Sequence, residues 1–331
     1  MKSRRAELAL AGVTVIWGAT FVLVKSALAD VSTLLFLALR FTLAAIVLVA
    51  VYGRQGSGEE QASFARPDRL KPIPPAVRAS PLLWVARGLR PGLLAGALLF
   101  VAYVFQTAGL KLTTPSKSAF LTGLSIPLVP LASSLVYRAR PRLFEVAGVL
   151  VATAGMALLT LPPGGFAMSR GDFLSFLCAV TFALHIVVVS HYSPIIGFEA
   201  VAVVQIVAAA ALGLAATGGA AVSSIEPLRF HATPQLAVAV LVTGLLATAL
   251  AFTTMAWAQQ YTSATRAALI FALEPVVAWL ASYWLTGEIM PFRGKVGTGL
   301  ILAGVLVVEL RGATRKPGEV VTNVITGTSR S

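Results

Sequence analysis

Four stretches of the chain, around residues 10–24, 93–110, 146–161 and 236–253, are apolar almost throughout. A run of that kind in hydrocarbon must satisfy its backbone N–H and C=O groups internally, which an α-helix does and an irregular segment does not. Requiring about 20 mostly apolar residues for each crossing, and breaking at proline, glycine and clusters of charge, gives ten helices. They are predicted at 7–29, 32–52, 92–111, 115–137, 143–161, 172–191, 199–217, 235–256, 264–285 and 292–310. Composition points the same way: 12% of the 331 residues are charged, against about 25% in a soluble domain. With 13 acidic residues, the surface of a water-soluble fold of this size cannot be built. A cytosolic enzyme, a secreted disulfide scaffold and a disordered chain are excluded, and the expected surroundings are a lipid bilayer.

The formal charge of +13 does not indicate nucleic acid, because the basic residues are scattered between apolar segments instead of forming one patch beside stacking aromatics. Lys2, Arg4 and Arg5 before an apolar run imitate a signal peptide, but that run continues to Ala29 and is long enough to span, so it reads as a retained first helix. Placing the N-terminus in the cytoplasm puts 17 Lys and Arg inside, six outside and three (Lys25, Arg40 and Arg266) within helices. By the positive-inside rule both termini are cytoplasmic. The preference for arginine (19) over lysine (7) fits a bacterium with a GC-rich genome, and hence its inner membrane. The single cysteine, Cys178, allows no intramolecular disulfide and reads as a packing residue.

The hydrophilic stretch 54–90 carries Pro67, Pro72, Pro74, Pro75 and Pro81, and is expected as irregular cytoplasmic chain with an interfacial piece at Leu82, Leu83 and Trp84. The polar tail 312–331 reads as disordered. Residues Thr114 to Leu131 can be laid on Thr262 to Trp279 at an offset of 148, matching Ala119 with Ala267, Pro127 with Pro275 and Val129 with Val277. At an offset of 149, Gly148 meets Gly297 and Gly155 meets Gly304; at 161, Thr20 and Phe21 meet Thr181 and Phe182. The halves are then 1–161, including the long loop, and 162–311. Five helices per half is an odd number, so the second copy enters the membrane in the opposite direction, as in many secondary transporters.

Trp17-Gly18-Ala19-Thr20-Phe21 with Lys25, Leu39-Arg40-Phe41, Gln106-Thr107 with Gly109-Leu110, Ser118-Ala119-Phe120-Leu121, and Glu274-Pro275-Val276 with Gly287-Glu288 together resemble the EamA family of the drug/metabolite transporter superfamily. The ordered set covers about residues 7 to 311. The resemblance implies an all-α membrane protein with ten transmembrane helices in a five-plus-five inverted repeat, a central cavity, and transport of small metabolites such as amino acids, usually as export. The first half departs from the pattern, carrying Tyr137-Arg138 where the second keeps Gly287-Glu288. The long loop also exceeds the family norm.

Several polar residues fall inside the expected spans. An ionised side chain costs about 2.5–3.5 kcal/mol at a helix centre, so Lys25 and Arg40 read either as attractors of a substrate carboxylate or as a snorkelling lysine and a structural arginine. Trp17, Phe21 and Lys25 recur every four residues and share one helix face, as do Tyr103, Gln106 and Thr107 on another. Such faces suit a small-molecule pocket or plain helix packing. Glu274 is the only acidic residue deep in a span; it reads as a proton-exchanging carboxylate or as the fixed partner of Arg266 or Arg40. Pro127 and Pro275 sit at matching points and read as hinges or as static bends. Thr114 and Pro115 read as N-cap and first helical residue. Ser118 and Thr122 line a cavity or bond back to carbonyls, and His185 and Gln205 are the polar intruders of helices six and seven.

No phosphate loop of the G-x-x-x-x-G-K-[ST] kind, no H-E-x-x-H pair and no glycine-flanked nucleophile occurs. The reading is therefore a permease that carries no cofactor, metal or catalytic set, moving a small polar metabolite by alternating access, with proton coupling left open. The alternatives are an importer, a narrow drug exporter or a non-transporting signalling protein. A homodimer is also open, since the Gly92-to-Gly96 and Gly294-to-Gly297 spacings suit contacts within one chain as well as between two.

Overall fold

The computed structural model describes residues 2–53, 81–113, 115–138, 141–161, 168–286 and 291–311. The expectations for the loop up to residue 80, the Thr114 cap, Gly287-Glu288 and the tail 312–331 lie outside these residues. So do the side chains of Phe21, Leu82, Leu83 and Trp84.

The chain is helical: α1 (Lys2–Ala27), α2 (Thr33–Tyr52), α3 (Pro81–Leu112), α4 (Pro115–Gly123), α5 (Ser125–Tyr137), α6 (Leu143–Thr160), α7 (Arg170–Ile196) and α8 (Phe198–Val222). There follow α9 (Pro234–Leu241), a π-helical segment (Val242–Leu250), α10 (Ala251–Ala258), α11 (Ala264–Phe271), α12 (Glu274–Thr286) and α13 (Phe292–Arg311). Taking α4 with α5 and α9 through α10 as continuous runs, eight helices among the described residues are long and apolar enough to cross a membrane. The two other expected spans are also helical but differ in kind. Residues 264–286 are broken at Ala272 and Leu273, and any 18-residue window of α13 carries three charges from Arg293, Lys295, Glu309 and Arg311.

Local chemistry explains the boundaries. Ser169 caps α7 reciprocally with Asp172, the Asp172 N–H donating to Ser169 Oγ at 3.1 Å and the Ser169 N–H to Asp172 Oδ2 at 2.9 Å. Thr233 caps α9, with Pro234 at the first helical position. The turn between α7 and α8 is a single residue, Gly197, at φ 97°, a conformation glycine adopts without steric cost. Three expectations need correction. Residues 81–90, expected as irregular chain with an interfacial piece at Leu82, Leu83 and Trp84, are helical and continuous with the third span, and α3 accommodates Pro91 in its interior. The eighth span is not a uniform α-helix but widens into the π-helical segment. The fourth span is interrupted at Leu124, just before Pro127.

Helices in lipid approach most closely where side chains are smallest. The antiparallel pair α6 and α13 touches through glycine: a Cβ on Gly148 would stand 2.8 Å from Gly304 O, and one on Gly155 2.5 Å from Gly297 O. Gly92 and Gly96 are likewise used within the chain, against Val204 and against Gln205 and Ala208 of α8.

Both ends of the bundle are clamped. At one end the segment after α8 lies across the α1–α2 turn. Phe230 forms an isolated β-bridge with Val31, the Ser32 N–H donates to Arg229 O, and the His231 N–H donates to Asp30 O. Glu226 receives the N–H groups of Thr33 and Leu34, at 2.8 and 3.0 Å, and pairs with Lys111 at 2.9 Å. At the other end Arg266 lies 3.5 Å from Glu7 and 3.8 Å from Glu145.

Partial burial pushes the Glu226 carboxyl upward, but the Leu34 N–H, Lys111 and Thr33 outweigh it and hold the group down at about 2. A carboxyl held low stabilises the fold above its unfolded value of about 4.3 and ceases to do so as pH falls toward the folded value. Glu226→Gln is therefore expected to cost about 1 kcal/mol, the worth of a helix cap. Thermal unfolding in detergent would show the gap between wild type and variant at full size near neutral pH and shrinking below about pH 4.

Candidate functional site

Between the two clamps the helices leave a cavity of about 80 Å³, roughly five to eight times the 10–15 Å³ that one water requires. Five aromatic rings, those of Trp17, Tyr103, Phe182, Phe252 and Phe271, stand in its wall. Trp17 of α1 lies 5.3 Å from Phe252 and 5.1 Å from Phe271. Tyr103 of α3 meets Phe182 edge-on at 5.3 Å and Phe252 at 6.2 Å. Such rings supply rigid apolar area at small cost in rotamer entropy.

The π-helical segment positions the polar groups. Its ladder runs five residues back, and the Ala251 N–H, where α10 begins, donates to Leu246 O. Where a ladder returns from five-residue to four-residue spacing, one carbonyl is left over. Ala247 O stands at that step and accepts the Trp17 indole N–H at 2.9 Å. Within the same segment Thr248 donates its hydroxyl to Thr243 O, five residues back, at 2.7 Å. The Thr248 hydroxyl oxygen in turn accepts Arg40 Nε at 3.1 Å and Nη2 at 2.8 Å.

Arg40 is 3% exposed, and its guanidinium lies 4.4 Å from the centre of the Tyr103 ring, within cation–π range. None of the ion pairs among the described residues includes Arg40 or Glu274. The alternative of a fixed Glu274 pair with Arg266 or Arg40 does not hold, because Arg266 engages Glu7 and Glu145 instead. Both Arg40 and Glu274 front the cavity. His185 joins Gln205 through Nε2 and Oε1 at 2.8 Å, while His185 Nδ1 and Gln205 Nε2 have no protein partner.

Of the residues singled out from sequence, Trp17, Arg40, Tyr103, Gln106, Thr107, Thr122, His185, Glu274 and Pro275 line the cavity. Gln205 reaches it only through His185. Ser118 is fully buried against Ser175 Oγ at 3.1 Å and does not line it, nor does Pro127. Lys25, in the last turn of α1, is exposed and outside the lining. Phe21 lies outside the described side chains. Thr20, Ile126, Phe182, Phe252 and Phe271 line the cavity and were not singled out. Phe182 was within reach as the repeat partner of Phe21, whereas nothing in the pattern distinguishes Phe252 from a packing residue.

A family model, the EamA-like transporter family, matches residues 4–161 and again 169–310. A protein of Archaeoglobus fulgidus named an uncharacterized transporter is 30% identical over 311 residues, covering 94% of this chain and 88% of its own. A solved crystal structure shares the fold with a TM-score of 0.69 at 22% identity, over 94% of this chain and 99% of that one.

Thr248→Val keeps the shape of the side chain but removes the acceptor for Arg40. The expected loss is about 1–3 kcal/mol, the cost of leaving a buried donor unsatisfied, read as a lower unfolding temperature in detergent.

Proposed function

The chain belongs to the EamA-like transporter family, and from that premise we propose that it is a secondary transporter moving a small polar metabolite, such as an amino acid, by alternating access. The observation that carries this reading is the cavity in the middle of the bundle, which is fronted by a buried arginine and a carboxylate that do not pair with each other. An unpaired charge held in an apolar bundle is costly. A cargo carrying a carboxylate and an ammonium group would compensate both charges at once. The aromatic wall fits the apolar body of such a molecule.

The architecture proposed is ten helices as two inverted halves, 1–161 and 162–311. Three features support it. The family model matches twice in succession. Breaks fall at corresponding points, Leu124 and Ala272, before Pro127 and Pro275. The glycine contacts are also reciprocal: Gly148 with Gly304 and Gly155 with Gly297 exchange places when each residue is replaced by its repeat partner. The excess of Lys and Arg on one side supports a bacterial inner membrane with both termini in the cytoplasm. In that orientation the Glu226 clamp is external and the Arg266 clamp internal. Export is the favoured direction.

Counterflow of radiolabelled amino acids and related metabolites in proteoliposomes tests the proposal. At least one compound should exchange through the wild type. Arg40→Lys, which keeps the charge but loses the fork of donors, should slow it by about tenfold or more, the worth of a charge-assisted hydrogen bond. A folded, monodisperse protein that exchanges nothing in a broad panel would sink the transport reading and raise that of a signalling protein.

A further inference from the structure

Proline has no N–H, so the carbonyl four residues before it loses its helical donor. Pro127 does this to Gly123, Pro275 to Phe271, and Pro130 to Ile126. The helices break at two of these points: α4 ends at Gly123 and α11 at Phe271. Around the second break the Ala272 and Leu273 N–H groups turn back to Leu269 O and Ile270 O, each at 3.1 Å. Those short bonds use the neighbouring carbonyls and pass over that of Phe271. No side chain among the described residues donates to the carbonyl of Gly123 or Phe271. In lipid a loose carbonyl is tolerated where it faces a cavity, and Gly123, Ile126 and Phe271 all line this one.

Glu274 opens α12 directly after the second break and fronts the same cavity. Its carboxylate has no hydrogen-bond or ion-pair partner among the described residues. Arg40, which shares the cavity lining, is turned to Thr248 and Tyr103, and Arg266 to the acids at the bundle end. One carboxylate and neutral carbonyl oxygens make an oxygen-only donor set with a single negative charge. That set matches one positive charge, whereas a divalent ion is usually held by more carboxylates. Unwound carbonyls at broken helices hold small cations in other membrane bundles.

We propose that the two helix breaks and Glu274 form a binding site for a monovalent cationic group, supplied either by an alkali ion or by the ammonium end of the cargo. The inference deepens the transport reading: the ion would be coupled to transport, and the ammonium would set the cargo's orientation, its carboxylate toward Arg40. Binding is measured without transport, so the two can fail separately.

The test is thermal unfolding of the purified full chain in detergent near neutral pH. Sodium, potassium, lithium, methylammonium and choline chlorides are titrated at constant ionic strength. The expected result is a saturable rise in unfolding temperature with at least one small cation and none with choline. Sodium, potassium or lithium acting alone assigns the site to an ion, and methylammonium acting alone assigns it to the cargo. The rise should vanish in Glu274→Gln. In Pro275→Ala, which returns an amide donor to Phe271 O while leaving the carboxylate, saturation should need about tenfold more cation, the equivalent of one weakened ligand. Identical unfolding temperatures in all five salts for the wild type would overturn the proposal, even for a protein that transports. So would a cation-specific rise that persists in Glu274→Gln. Should the glutamine variant not fold, the Pro275→Ala titration decides, and an unchanged saturation point there counts against the site.

Discussion

Hydrocarbon offers no hydrogen bonds, so each backbone N–H and C=O inside a membrane must find a partner within the protein or open onto a cavity. Most of this chain meets the demand with uninterrupted helix. Among the described residues it departs at Leu124, at Ala272 and Leu273, and along Val242–Leu250; the first two breaks are flanked by cavity-lining residues, Gly123 with Ser125 and Phe271 with Glu274. The loose groups are either used, as Ala247 O is by the Trp17 indole, or belong to residues that line the space between the helices, Gly123 and Phe271. The irregularities are therefore grouped around the cavity, the π-helical segment reaching it through the side chains of Trp17 and Arg40.

The π-helical segment holds two cavity-lining side chains that come from different helices. By widening the ladder it presents a spare carbonyl to α1 and a threonine hydroxyl to α2. Trp17 and Arg40 are thus held by the same short piece of backbone. Thr248 serves twice, as donor to Thr243 O and as acceptor for the guanidinium, which leaves Arg40 fixed against Tyr103 without a neutralising carboxylate. A charged group is kept in place yet remains electrostatically unspent.

Much of this was legible in the sequence because hydropathy and the cost of burying polar groups both act locally. Long apolar runs gave the helices, and the few polar residues inside them, Arg40, Gln106, Thr107, His185 and Glu274, converge on the cavity. Lys25 shows the limit of that logic. Its four-residue spacing from Trp17 fixes a helix face, but one residue near the end of a helix can reach outward along its stem, and Lys25 is exposed. The partners of Arg266 were hidden for another reason: Glu7 and Glu145 are far from it in sequence and meet it only through packing. No residue pattern announced the π-helical segment either, since its threonines, glycine and leucines are ordinary in a membrane helix and its register is settled by Trp17 and Arg40 from elsewhere.

Cys178 is the chain's single thiol, has no exposed surface, and contacts Thr122 Oγ1 at 3.9 Å beneath the cavity wall. A cysteine placed by mutation on either clamp would then be the only thiol within reach of a water-soluble thiol reagent. The native chain is in this respect already a background for spin labels and fluorophores, and distances between its two ends can be followed without first removing a residue.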